Sequence, residues 1–267
     1  MIKTYSNEQL DNLRRSGKIL ADALDIVRAA IKPGITTLEL DAIAHSYIIE
    51  AGAIPSFKDY NGFKYSICTS VNEESIHGMP RKDKLLKEGD IVSIDIGVKY
   101  NGMCTDAART YPVGKISDDT QRLIDVTEQC FHEGIQGLKA KSKVGDIGEK
   151  IQRYIEQQRK ECPCGMEYGI IENYFGHGVG ERVHEDPLVP NYIPHKKTPK
   201  IVKDWCRTRL PAGSVIAIEP MINAGTGQVR TASDKWTAVT VDGKLAAHYE
   251  NTLIILQDGV EVVTIDN

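Results

Sequence analysis

Two aspartates, two glutamates and a histidine stand where carboxylates and an imidazole could do chemistry. Asp95 ends an almost wholly apolar run, and Asp106 follows 11 residues later, across Asn101-Gly102. A two-residue turn with about four residues on either side would lay both carboxylates on paired antiparallel strands. A lone Asp at a strand end ordinarily caps or turns. Two on facing strands repel unless a cation lies between them or one takes a proton. His177 sits in Gly176-His177-Gly178-Val179-Gly180, where glycines let backbone approach closely and leave room for a ligand. His184 lies seven residues on and is followed by Glu185-Asp186-Pro187. Glu219 ends Val215-Ile216-Ala217-Ile218, and Glu250 closes His248-Tyr249-Glu250 before another apolar run. Singly, each has an ordinary explanation as a surface, core or capping residue.

Together they form a carboxylate-rich set with one imidazole, which suits Mn, Fe, Co or Zn. Five protein ligands exceed what one zinc ion usually takes. Bridging carboxylates would hold two ions about 3.5 Å apart, an arrangement that serves hydrolysis.

These residues need a scaffold. Ser6 with Gln9 and Thr36 with Glu39 are capping boxes, and each precedes apolar residues at helical spacing. The first helix should end at Pro33-Gly34 and the second at Gly52. Strands are expected over 66–70, 91–96 and 103–111, then helices over 118–138 and 147–158. Further strands are expected over 214–219, 236–241 and 252–256, with Asp242-Gly243 as a hairpin turn. The order of helices then strands occurs twice. Gly89 and Asp95 in the first half match Gly213 and Glu219 in the second at a common offset of 219 − 95 = 124. This predicts two pseudo-equivalent halves that share a site.

Composition narrows the class. An apolar share of 41% and a charged share of 26% are those of a soluble globular chain. A net charge of −4 without a basic stripe gives no reason to expect nucleic acid. No apolar run is long enough for a transmembrane helix, and the N-terminus has no signal-peptide layout. Cys68, Cys104, Cys130, Cys162, Cys164 and Cys206 are irregularly spaced, and Cys162-Pro163-Cys164 reads either as a weak metal or redox signal or as incidental in a loop, the second being favoured. A reduced, cytoplasmic setting is the expectation.

His77-Gly78, Asp95-Ile96-Gly97, Asp106, His177-Gly178-Val179-Gly180, His184-Glu185-Asp186-Pro187, Ile218-Glu219-Pro220-Met221 and Tyr249-Glu250-Asn251-Thr252 resemble, in order, the motifs of type I methionine aminopeptidases. The resemblance runs from about residue 7 to 256. It implies the α+β pita-bread fold, with two pseudo-symmetric αβ halves around a curved antiparallel sheet. It implies a single catalytic domain over 1–267, with halves of about 1–115 and 116–267. It implies two divalent ions (Co, Mn, Fe or Zn) bridged by Asp106 and Glu250, with Asp95 on one ion and His177 and Glu219 on the other. The activity implied is removal of N-terminal methionine from nascent proteins and peptides whose second residue is small. Glu219 would carry the proton, His184 would stabilise the oxyanion and His77 would contact the scissile amide. Phe57, Tyr60, Phe63, Cys68 and Trp236 would line the methionine pocket, where aromatics and sulfur suit a thioether. The expected partners are nascent polypeptide N-termini near the ribosome, with no direct nucleic acid, no membrane and a monomeric state.

Two departures stand out. Val183 occupies a position where some relatives carry an aromatic residue, which leaves the fit of the pocket open. The stretch 191–210 is longer than in compact bacterial relatives and reads either as a loop edging the cleft or as a tolerated insertion, the second being favoured. Proline-directed peptidases of the same fold are the nearest rival. They usually carry a large extra N-terminal domain, for which this chain has no room. A non-catalytic binding module would lack several of the ligands present here.

Overall fold

The computed structural model describes residues 2–163 and 165–265. Both capping boxes form as expected. Ser6 and Thr36 each accept the backbone N–H of the third helical residue, and Gln9 and Glu39 return a contact to the cap backbone. Each such cap contributes about 1 kcal/mol to its helix. Helix α1 spans Asn7–Ala30 and α2 spans Thr37–Glu50. Their apolar stripes, Leu20, Leu24, Val27, Leu40, Ala44 and Ile48 among them, are fully or almost fully buried against strands Ile67–Val71, Ile91–Tyr100 and Met103–Pro112. Helices α3 (Asp118–Ile135) and α4 (Gly145–Glu161) make a second core with Ile216, Ile218 and Leu253.

Among the described residues, the main sheet has nine strands, and every pairing in it is antiparallel. Its central order is Ile91–Tyr100, Met103–Pro112, Glu250–Ile255, Val215–Ile218, Gly176–Gly178 and Glu185–Val189. The hairpin across Asn101-Gly102 closes as predicted, with Tyr100 opposite Met103. The Asp242-Gly243 hairpin does not. Ala238–Thr240 pairs with Val229–Thr231 and Glu74–Ile76, whereas Ala246–His248 pairs with Met221–Asn223. The turn therefore links two different sheets. Asp242 serves it through its carboxylate, which accepts the N–H groups of Thr226 and Lys244.

The long stretch after Asn191 folds into a short helix, α5 (Lys200–Arg207), rather than a plain loop. Val202 and Cys206 anchor it, and none of its residues reaches the central cavity. Among the described residues, no helix is long and apolar enough to cross a membrane. Cys68, Cys104, Cys130 and Cys206 are free, buried thiols. Cys162 departs from the fully reduced expectation, being disulfide-bonded. Cys164, the other cysteine of that triplet, lies outside the described residues.

Candidate metal centre and active site

Strand register brings the five expected ligands together. Asp95 lies opposite Ala108, which lies opposite Glu250 on the next strand. Asp106 stands opposite Gly97, one diagonal from Asp95 on the same face. Glu219 follows Ile218, which is paired with Asn251, and His177 is paired with Ala217. The set is thus spread over five neighbouring strands, and no member is more than 8% exposed. The His177 Nε2 atom lies 3.7 Å from Glu219 Oε1, 3.8 Å from Asp106 Oδ2 and 3.9 Å from Glu250 Oε1.

Of the two purposes the sequence offers for the flanking glycines, close backbone approach is the one the strands use. A Cβ on Gly178 would stand 2.0 Å from the Asp186 carbonyl oxygen, and one on Gly176 would stand 2.5 Å from that of Ala217. They admit neighbouring backbone rather than a ligand.

Four carboxylates buried this closely repel. Burial pushes Asp95 up to about 7 against a hydrogen bond with Asp106 that lowers it, and burial with added repulsion from neighbouring carboxylates raises Asp106, Glu219 and Glu250 well above the carboxylate range. Burial and the nearby His184 hold His177 down at about 3, so its imidazole is neutral. Asp95 Oδ1, Asp106 Oδ1 and Glu250 Oε1 are buried without any hydrogen-bond partner. Among the described residues, no lysine or arginine pairs with these four carboxylates; the imidazoles His177 and His248 are the basic groups within 4.0 Å of any of their oxygens. Unpartnered buried anions are costly, and a divalent cation is the group whose charge and oxygen affinity fit them. His177 is prepared as a ligand, since its Nδ1 meets the Gly178 carbonyl oxygen at 3.0 Å and leaves Nε2 facing the carboxylates.

The cluster forms the floor of a cavity of about 370 Å³. Phe57, Tyr60, Phe63, Cys68 and Trp236 all line it, as do His77 and His184. Phe63 and Trp236 meet edge-on at 5.2 Å. His184 lies between Tyr60 and His177, with ring centroids at 5.1 and 4.3 Å. His77 adopts a left-handed backbone, φ 58°. That conformation is strained for a non-glycine residue and is held by its surroundings. Gly78 beside it is pinned to Thr69 and Ser70, and a Cβ there would stand 2.2 Å from the Thr69 carbonyl oxygen. Burial lowers the His77 pKa to about 4, and enclosure by the cavity walls lowers that of His184. Both rings are therefore neutral donors near pH 7.

Val183 does not line this cavity; it is buried in the cluster that also contains Phe57 and Phe63. Glu185 ties the N-terminal segment down instead of doing chemistry, accepting from Lys3, Tyr5 and the Arg182 N–H. Sequence reading passed over the lining residues Asn61, Ile76, Asn173, Tyr174 and Phe175, none of which belongs to a motif. It also passed over His248, which stands behind Glu219 and Glu250. A fourth histidine, two residues from an expected ligand, was the available signal.

The model of metallopeptidase family M24 matches residues 11–257 of the chain. A relative from Bacillus subtilis (strain 168), methionine aminopeptidase 1, is 46% identical over 264 residues, which cover 99% of each chain. The crystal structure of a methionine aminopeptidase from Thermotoga maritima superposes with a TM-score of 0.90 at 37% identity, covering all of both chains. An Xaa-Pro dipeptidase from Bacillus anthracis shares the fold alone, at 22% identity and a TM-score of 0.74, and the present chain covers 62% of it. The expected α+β pita-bread architecture is thus the one observed. The cluster of carboxylates and imidazole belongs to a divalent-metal hydrolase, and the chain is a member of the methionine aminopeptidases within metallopeptidase family M24.

Proposed function

We propose that this chain removes the N-terminal methionine from polypeptides whose second residue is small, using two divalent ions. The observation that carries the reading is the set of four buried carboxylates, with unpartnered oxygens, on the floor of an aromatic- and sulfur-lined cavity. Four ionised carboxylates carry four negative charges. Two divalent ions neutralise them, while one would leave two charges buried. Asp106 and Glu250 would be shared between the two ions, Asp95 would serve one of them, and His177 and Glu219 would serve the other. Co, Mn, Fe and Zn all accept such a donor set.

When bound, the ions supply Lewis acidity and lower the pKa of a shared water. The protein's own groups do the rest. The pocket formed by Phe57, Tyr60, Phe63, Cys68 and Trp236 takes the methionine side chain. Glu219 accepts the proton from the attacking water and passes it to the leaving amine. His184, a neutral donor at the cavity wall, stabilises the developing oxyanion. His77, held rigidly by its backbone and packed edge-on to Tyr174 at 5.5 Å, contacts the scissile amide. The same pair, His77 and Tyr174, limits the room for the second side chain.

On this reading the enzyme works as a monomer in the cytoplasm, on nascent polypeptide N-termini near the ribosome, without touching nucleic acid or membrane. We also read residues 1–267 as one catalytic domain with halves of about 1–115 and 116–267 and an insertion at 190–211. The two separate helix-on-sheet cores support this division.

Tripeptides varied at the second position test the function. With saturating metal, Met-Ala-Ser and Met-Gly-Ser should exceed Met-Leu-Ser and Met-Lys-Ser in kcat/KM by on the order of 10²-fold, the cost of displacing the reacting carbonyl by about 1 Å. Comparable values for Met-Ala-Ser and Met-Leu-Ser would make this a broader aminopeptidase. Preference for Xaa-Pro peptides would move it to the proline-directed group.

A further inference from the structure

His248 has no part in the roles above. It ends the strand Ala246–His248, two residues before Glu250. Its backbone is fixed by Thr110, whose hydroxyl accepts the His248 N–H and donates to the His248 carbonyl, both at 2.9 Å. Pairing with Met221 holds it beside the strand that follows Glu219. The ring is 2% exposed, and neither nitrogen has a hydrogen-bond partner. The ring borders a cleft on the far side, near Arg109 and Tyr249, yet both nitrogens are closed off from solvent.

The ring's direction is informative. Its Nε2 lies 3.6 Å from Glu219 Oε2 and 3.7 Å from Glu250 Oε2. The other oxygens of the same carboxylates, Glu219 Oε1 and Glu250 Oε1, lie 3.7 and 3.9 Å from His177 Nε2. Both glutamates therefore stand between two imidazoles, with one oxygen turned towards each ring. The rings differ at the far nitrogen. His177 Nδ1 has the Gly178 carbonyl oxygen at 3.0 Å, as a ligating imidazole requires. Neither His248 nitrogen is hydrogen-bonded, but Nε2 has carboxylate oxygens at 3.6 and 3.7 Å whereas no acceptor pairs with Nδ1, so a proton on Nδ1 would be the more isolated buried donor. The ring proton accordingly belongs on Nε2, where it faces the carboxylates. A carboxylate swing of roughly half an ångström closes either contact to hydrogen-bond length.

We infer that His248 is a positioning residue: its Nε2–H donates to the Glu219 and Glu250 carboxylates from behind and keeps their other oxygens turned towards the ions. The inference rests on the two-ion reading above. It predicts that ion affinity depends on a donor at this position, while the ligand set does not include His248.

The test uses metal-free full-length protein titrated calorimetrically with Mn²⁺, together with the visible spectrum of the Co²⁺-loaded form. His248→Met removes the donor at similar length, and His248→Gln keeps an N–H near the Nε2 position. His248→Asn, whose amide stops short, is a second variant without a donor in reach. Thermal midpoints of the metal-free proteins separate lost folding from lost positioning. His248→Met and His248→Asn should weaken Mn²⁺ binding 10- to 100-fold, and His248→Gln should stay within about threefold of wild type, as for other residues that orient metal ligands. The Co²⁺ bands should keep their positions in His248→Gln. Unchanged affinity in a folded non-donor variant would overturn the inference, as would a loss in His248→Gln equal to that in His248→Met. A Co²⁺ spectrum in His248→Gln showing one nitrogen ligand fewer would make His248 a ligand and overturn it as well. Failure of the wild-type protein to bind Mn²⁺ would instead overturn the two-ion reading itself.

Discussion

Replacing Glu250 or Asp106 with alanine is expected to remove bound metal and peptidase activity together. On the proposed two-ion reading each carboxylate would touch both ions, so its loss would leave neither with a complete set of donors. Ions of this kind supply several kcal/mol of transition-state stabilisation. At 1.36 kcal/mol per decade, that corresponds to a loss of about 10³-fold or more in kcat/KM. Elemental analysis after gel filtration, read beside the rate on Met-Ala-Ser, checks both effects. The same substitutions should not damage the fold. Glu250 Oε1 and Asp106 Oδ1 are buried without a partner, and repulsion within the cluster raises both pKa values. Metal-free Glu250→Gln, which keeps the volume and removes the charge, should therefore unfold no lower than the metal-free parent. A variant that retains both ions, or that keeps full activity without them, would remove Glu250 from the bridging role.

His184→Ala should separate chemistry from metal binding. His184 is exposed on the cavity side and stands one ring contact from His177. Its nitrogen also comes within 4.8 Å of ligand atoms of Asp106 and His177, so a ligand role is the competing assignment. The proposed set of five buried ligands does not include it. The expected result is a fall in kcat of about 10²-fold or more, the cost of one lost oxyanion donor. Metal content should be unchanged, and KM should move far less than kcat. Loss of one ion from the variant would make His184 a ligand and leave the oxyanion without its assigned donor.

Sequence alone revealed much of this molecule, and the physical reasons differ from element to element. The first two helices were legible because their ends are set locally: Ser6 with Gln9 and Thr36 with Glu39 satisfy backbone donors within one turn. The Asp95 and Asp106 hairpin was legible because a two-residue turn fixes register, and register fixes the shared face. The hairpin expected at Asp242-Gly243 failed because turn chemistry does not choose partners. The strands on either side found better neighbours in two separate sheets. The glycines beside His177 offer two readings, because ligand access and close strand packing both demand a missing side chain, and strand packing is the one the structure shows. Asn61, Asn173, Tyr174 and Phe175 reach the cavity through loop conformation, which no periodicity records. His248 was missed for a related reason. Its chemistry appears only when separate strands bring Glu219 and Glu250 up to its ring.

One measurement tests the central claim most directly: methionine release from Met-Ala-Ser by metal-free protein titrated with a single divalent ion at neutral pH, with bound ion counted at every step. The account predicts no release without metal and restoration on addition, saturating as the two-ion centre held by Asp95, Asp106, His177, Glu219 and Glu250 fills. Full activity in the metal-stripped protein, or binding of ions that restores none, would contradict it.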